Sequence, residues 1–259
     1  MAYVKETALI GGRFKLGPAG GRKPTEFVGV VGSAQEQIEQ SEIRIPDTTS
    51  PLSGTWDSLA KIDRFILNIQ FREINSRVLS SLLYADVTEV PSDTITGEEV
   101  ELAVGMTTAL DKMPLTITAV TGPGDVEYQE DEDWRMTGAG IEVLPDSDLA
   151  TAIEGSAEPF IATVDYTSAT FDAVEVLTNS GKEWYLLFEG SNAVGQKGRF
   201  NGHYWRVKFQ PTESRDVIGV DDFMALPAVC EVLREDSRAS AAGDPKSAYA
   251  RLDKEKIVG

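Results

Sequence analysis

The excess negative charge of this chain is confined to its middle third, and that step constrains its organisation more than any motif does. From Asp86 to Glu175 there are 21 acidic residues against two basic ones, Lys112 and Arg135, whereas the flanks hold 21 acids and 22 bases. The net charge of -18 therefore arises in one internal block between two nearly neutral segments. A compositional step of this size inside one chain marks a separate structural unit. The expected organisation is a discontinuous host domain of residues 1–86 plus 168–236, an acidic domain of residues 87–167 inserted into it, and a C-terminal arm of residues 237–259. With 259 residues the chain can bury about three-quarters of its unfolded surface, so its stability requires neither a metal nor a disulfide.

The acidic balance argues against a protein that grips nucleic acid, because such affinity comes from neutralising phosphates. Cys230 has no partner for a disulfide and sits in the apolar run Ala228 to Leu233, which reads as a buried, inert thiol. The segment Met1 to Gly12 offers only a short apolar patch, Ala8 to Ile10, too little for a signal-peptide core, and no later run approaches a membrane span. The expectation is a soluble protein made without a secretion signal.

Period and turn chemistry predict a mainly β chain with one amphipathic α-helix. Tyr3 to Ile10 and Arg13 to Leu16, parted by Gly11-Gly12, read as a hairpin followed by a loop at Gly17 to Gly21. Lys61 to Arg72 reads as a half-buried strand, with Phe65, Leu67, Ile69 and Phe71 on one face. The period then turns helical, with Ile74, Val78, Leu79, Leu82 and Leu83 on one stripe. In the acidic block, Glu99 to Val104, Leu115 to Val120, Trp134 to Met136, Ile141 to Leu144 and Phe160 to Tyr166 read as short strands of a small β-sandwich. Beyond it, Trp184 to Phe188 and His203 to Phe209 read as strands, the latter with His203, Trp205, Val207 and Phe209 on one face. A last strand pair is expected over Phe223 to Leu233. The end, rich in Ala, Ser and charge, reads as an arm.

No constellation for chemistry emerges. The acidic run Glu127, Glu130, Asp131, Glu132 and Asp133 lacks the glycine of an EF-hand loop, since Met136 stands in that place, and reads as a solvated loop. His203, the sole histidine, reads as a hydrogen-bonded structural residue. The glycines from Gly190 to Gly202 are spaced wrongly for a dinucleotide fingerprint and read as a loop. Gly20-Gly21-Arg22-Lys23 lacks the Lys-Ser/Thr ending of a phosphate loop. The expectation is a protein without catalytic residues, cofactor or metal.

The flanks resemble the tube subunits of phage tails, in order along the chain. Phe27 to Ala34, followed by Glu36, Glu39 and Glu42, is similar to the early tube strand. The strand Phe65 to Arg72 running into Glu73 to Leu83 is similar to the strand and helix those subunits share. Lys182 to Asn192, Tyr204 to Pro211, Ile218 to Phe223 and Glu231 to Leu233 resemble the closing strands. Within the acidic block, Gly138 to Pro145 and Phe160 to Thr167 resemble the extra β domain of many siphophage subunits. The resemblance implies a tail-tube β-sandwich or barrel domain carrying an inserted β domain on the tube exterior. It also implies hexameric rings stacked into a tube through which DNA passes without specific binding. Implied partners are further copies and the tape measure, tail terminator and distal tail proteins, with no membrane. The implied location is the virion tail, with assembly in the host cytoplasm. On this reading Leu9, Phe14, Leu16, Arg22, Lys23, Tyr249, Leu252 and Ile257 are candidate inter-subunit contacts. Alternatives are the related tube of a contractile tail or injection machine and, from other classes, a β-sandwich binding module or adhesin and an enzyme with dispersed carboxylates.

Overall fold

A computed structural model describes residues 8–20, 25–49, 54–194, 198–220, 223–238 and 246–256. The chain is mainly β and forms two compact units, Met1–Val87 with Val174–Gly259 (unit 1) and Thr88–Ala173 (unit 2). The second crossing between units falls after Ala173 rather than after Thr167. The five residues Ser168 to Asp172 include one charge, so charge alone could not place that boundary.

Before the first crossing the chain forms β1 (Ile10–Pro18), β2 (Glu26–Phe27), β3 (Val31–Pro46), β4 (Thr55–Phe71) and α1 (Ser76–Leu82). The outgoing strand β5 (Asp86–Val90) leads to β6 (Thr94–Glu101), β7 (Thr107–Ala109), β8 (Pro114–Gly122), β9 (Val126–Tyr128), β10 (Trp134–Met136) and β11 (Gly140–Val143). Then come α2 (Asp148–Glu154), β12 (Ile161–Ser168) and the returning strand β13 (Phe171–Glu175), which pairs with β5. The chain closes with β14 (Glu183–Asn192), β15 (Arg199–Phe209), β16 (Leu226–Val232) and β17 (Ala250–Lys254).

Unit 1 is built on one antiparallel sheet in the order β2-β1-β14-β15-β16-β4-β3. Phe14 and Leu16 of β1 share a core with Leu67, Ile69 and Phe71 of β4, although the two strands lie far apart in that order. The sheet therefore curls around its core, and α1 inserts Val78 and Leu82 into it. The helix starts where Asn75 Oδ1 accepts the Val78 N–H at 2.9 Å, satisfying an N–H that the first turn leaves unpaired. Strand β1 runs straight through Gly11-Gly12 instead of turning there. Gly12 pairs with Gly190 of β14, and the Phe188 ring lies where a Cβ at Gly12 would stand, 2.5 Å away. A side chain would clash, so the glycine serves close packing and not a turn. Of the stretch Gly190 to Gly202, read as a loop, residues 190–192 belong to β14, which ends at Asn192, and residues 199–202 to β15, which starts at Arg199.

Two further expectations are corrected in β15 and β16. Trp184 pairs with Val207 but Leu186 with Tyr204, so β15 carries an extra residue and its alternation flips there. Tyr204, Val207 and Phe209 consequently enter the core, while His203 and Trp205 stack with Tyr185 outside it. Phe223 to Leu233 contributes the single strand β16, whose partners are β4 and β15.

Unit 2 has a four-stranded sheet, β6-β12-β8-β9, and a three-stranded one, β10-β11-β7, that share one core including Val120, Trp134, Ile141, Val164 and Tyr166. It also holds α2, a helix absent from the strand-only expectation for this block. Ser147 caps it by accepting the Ala150 N–H at 3.0 Å, Asp148 sits in its first turn, and Gly155 ends it. Those residues are the usual start and stop signals.

Tyr166 is fully buried here, donating to Glu98 Oε2 at 2.6 Å and accepting the Lys112 N–H at 3.2 Å. Burial, followed by the Glu98 bond, pushes its ionisation up from 10.0 to about 12. A value raised in the folded state means that this stabilisation is complete below about pH 10 and is lost as the pH rises toward 12. Melts across that interval should fall less steeply for Tyr166→Phe than for the parent. Equal slopes would assign the alkaline loss to other groups.

Candidate functional site

The structure separates the expected contact residues into three groups. Phe14 and Leu16 are 5% and 1% exposed in the core of their own sheet, which removes them from any contact surface. The burial follows from register, since Phe14 packs on Phe188 at 4.9 Å and β2 covers Leu16. Leu9, Tyr249 and Leu252 are exposed. Arg22, Lys23 and Ile257 lie outside the described residues. Part of the expected arm is an element of the sheet: β17 pairs with the first half of β15, from Phe200 to Tyr204, while β16 takes Val207 to Phe209 on the same edge.

The residues weighed for chemistry are held structurally. His203 Nδ1 lies 2.6 Å from the Tyr185 hydroxyl, and its Nε2 lies 3.4 Å from Asp253 on β17. Asp133 is buried and accepts the N–H groups of Gln129 at 2.9 Å and Leu149 at 3.1 Å, whereas Glu127, Glu130, Asp131 and Glu132 are exposed. Among the described residues no group of three or more His, Cys, Asp or Glu is placed to hold a metal ion. Burial pushes the Cys230 thiol well above its ordinary range, which keeps it protonated and unreactive.

The most extended exposed feature is the hairpin of β3 and β4, strands of 16 and 17 residues. β16 accompanies β4 only from Phe71 to Ile66. Beyond that point no other strand among the described residues accompanies the pair, and every residue from Thr55 to Asp63 is exposed, a projection of roughly 30 Å. Ile43 pairs with Leu59, and Ile45 shares their face, while Ile38, Ile62 and Trp56 occupy the other. These six side chains are 56–68% exposed. A bare two-stranded ribbon is marginal in water, and one carrying apolar groups on both faces buries neither.

A second apolar surface lies on the segment joining β15 to β16. Val217, Ile218, Val220 and Phe223 are 73–88% exposed, and Arg72 Nη1 donates to the Phe223 carbonyl at 2.9 Å, which ties this surface to the Phe71 end of β4. The arm tip is at the other end of the same strand, about 55 Å away by strand rise. Two edges are also unpaired among the described residues: the outer side of β3, and that of β1 from Ile10 to Arg13, because β2 covers only Lys15 and Leu16. Gly11, Gly12 and Val31 to Glu36 of these edges line one cavity of about 360 Å³, where the Tyr204 hydroxyl donates to Glu36. A groove of about 620 Å³ runs beside the arm base, lined by Ile38, Ile62, Phe65, Tyr249 and Leu252.

Sequence reasoning did not single out the exposed apolar residues of the arm or of the segment from Val217 to Phe223. The one available signal was the density of large apolar residues in otherwise polar stretches. A family model described as protein of unknown function UCP028589 matches residues 7–253. No curated protein matches the chain.

Proposed function

We propose that the chain, which belongs to that family of unknown function, is a structural subunit of a phage tail tube of the non-contractile type. The observation that carries this reading is the placement of two apolar surfaces, the β3–β4 arm and the Val217–Phe223 segment, at opposite ends of one strand pair. Distinct surfaces at opposite ends favour head-to-tail contacts, which propagate, over a self-complementary dimer, which stops at two. The unpaired sides of β1 and β3 supply a third requirement, because edges left open invite pairing and closure into a ring removes them. Ring closure through edges and stacking through ends together describe a tube. The six-fold count, the outward position of unit 2, and the tape measure, terminator and distal tail partners rest on the resemblance set out above. Unit 1 carries 23 acids and 22 bases, a balance that suits a wall past which DNA slides without being held.

Concentrating the purified full chain and imaging it by negative stain tests the proposal. The expected result is rings or tubes with an axial channel and six-fold symmetry. A folded sample that stays monomeric by light scattering at high concentration overturns it.

A further inference from the structure

We propose that unit 2 acts as an electrostatic shield, which disfavours every contact that brings two copies of unit 2 together and so leaves association to the surfaces of unit 1. This inference goes beyond the tube reading, and it holds for any assembly that unit 1 forms.

Between Thr88 and Ala173 there are 19 acidic and two basic residues, a net charge of -17, so that of the total -18 only -1 belongs to the rest. Both cations are neutralised within the unit. Lys112 Nζ lies 3.1 Å from Asp93, and Arg135 Nη2 lies 2.8 Å from Glu142. Fifteen of the 19 acidic residues are exposed, which directs the charge outward. The other four are those with internal tasks: Glu98 accepts from Tyr166, Asp133 from Gln129 and Leu149, Glu142 from Arg135, and Asp165 from the Gly97 N–H. The exposed carboxylates are distributed over β6, the turn at Asp125, β9, the 130–132 stretch and both ends of α2. They form a coat over the unit and not a cluster.

A coat of one sign opposes approach of a second like coat over about a Debye length, roughly 8 Å at physiological salt. Unit 1, near neutrality, carries no comparable barrier, yet it exposes the apolar arm and loop that make indiscriminate sticking a hazard. The chain thus combines adhesive surfaces in one unit with a repelling surface in the other. Contacts that bring two copies of unit 2 together are disfavoured, and contacts between unit 1 surfaces are selected by default.

Static light scattering of the full chain, from about 20 mM to about 1 M NaCl, reads the repulsion directly, because screening shortens its range to about 3 Å at the upper limit. The second virial coefficient should be positive at low salt and fall through zero as salt rises. In the variant Glu99→Gln, Glu101→Gln, Glu127→Gln, Glu130→Gln, Glu132→Gln and Glu158→Gln, unit 2 carries -11, and the crossing should move to about two-fold lower salt. A coefficient that does not depend on salt in the parent, or identical curves for parent and variant, overturns the shield. If the variant fails to melt cooperatively, the parent's salt series decides alone. Rings or their absence under the microscope judge the tube reading separately, since parent and variant carry identical unit 1 surfaces and the difference between their salt curves reports only the charge of unit 2.

Discussion

Changing Trp56 and Leu59 together to aspartate is expected to abolish self-association and leave the fold intact. Both side chains are about two-thirds exposed on the β3–β4 arm and touch neither core, so their loss should alter monomer stability by no more than about 0.5 kcal/mol each. In an interface the balance differs. A buried tryptophan is a typical anchor whose removal costs about 2 kcal/mol or more, a factor of roughly 30 in affinity. Two carboxylates placed in the same contact add a desolvation cost, so a loss of at least about 100-fold is expected. The arm carries these residues on opposite faces, which means that the double variant disables it whichever face is buried first. Sedimentation velocity across a concentration series provides the measurement, with the parent's melting profile as the control for folding. Undiminished association in a folded variant would remove the arm from the assembly mechanism.

Replacing Gly140 by alanine should disrupt unit 2 and spare unit 1. Gly140 pairs with Ala109 across β11 and β7, and a Cβ there would stand 2.1 Å from the Thr108 carbonyl oxygen and 3.0 Å from the Leu110 nitrogen. These neighbours are backbone, so no rotamer change relieves the clash, and the two strands must part. The next residue, Ile141, is fully buried in the unit 2 core, so separation also opens packing around Trp134 and Val143. Overpacking costs about 1–3 kcal/mol where side chains can yield, and this site should lie at or above that range. Hydrogen exchange gives the readout. Protection should collapse in β7, β10 and β11 and persist in β14 and β15, whose core is separate. Equal loss in both units would show that they do not fold independently.

The sequence was most legible where burial alternates. Leu67, Ile69 and Phe71 announced β4, the 74–83 stripe announced α1, and the short strands of the acidic block fell close to β6, β8, β10, β11 and β12. The arm escaped because period-two reading depends on one dry face, and a ribbon wet on both sides has none. Gln35 to Arg44, the middle of β3, accordingly shows no dry face for such a reading to find. The face assignment of β15 failed at a single inserted residue, which a pattern of apolar and polar letters cannot show, because Tyr204 and Trp205 are both large, aromatic and buried, but on opposite faces. Phe14 and Leu16 looked available for contacts because nothing local reveals that β14, some 170 residues later, will lie against them. The strand β17 was hidden for the same reason, its partner β15 being supplied by a distant segment. The helix α2 was the avoidable miss, since Ser147, Asp148 and Gly155 mark its limits.

The same long separations decide the order in which the molecule can be completed on the ribosome. Strand β1 pairs with β14 and β4 with β16, partners that emerge only after the whole of Thr88–Ala173 has been made. The strands and helices of unit 2 are contiguous, and its core draws on no residue outside Val100 to Tyr166 apart from the packed Ile95. Contacts close in sequence form ahead of those that require large loops to shut. Unit 2 is thus able to fold during synthesis while the β3–β4 hairpin waits, already extruded and apolar, for β16 to arrive. During that interval each nascent chain holds a sticky ribbon beside neighbours on the same messenger, the situation in which growing chains misassemble. A folded, strongly anionic block downstream of the ribbon would keep adjacent nascent chains apart until the last strands close the sheet, so the position of unit 2 within the chain sets when its charge becomes available as well as where.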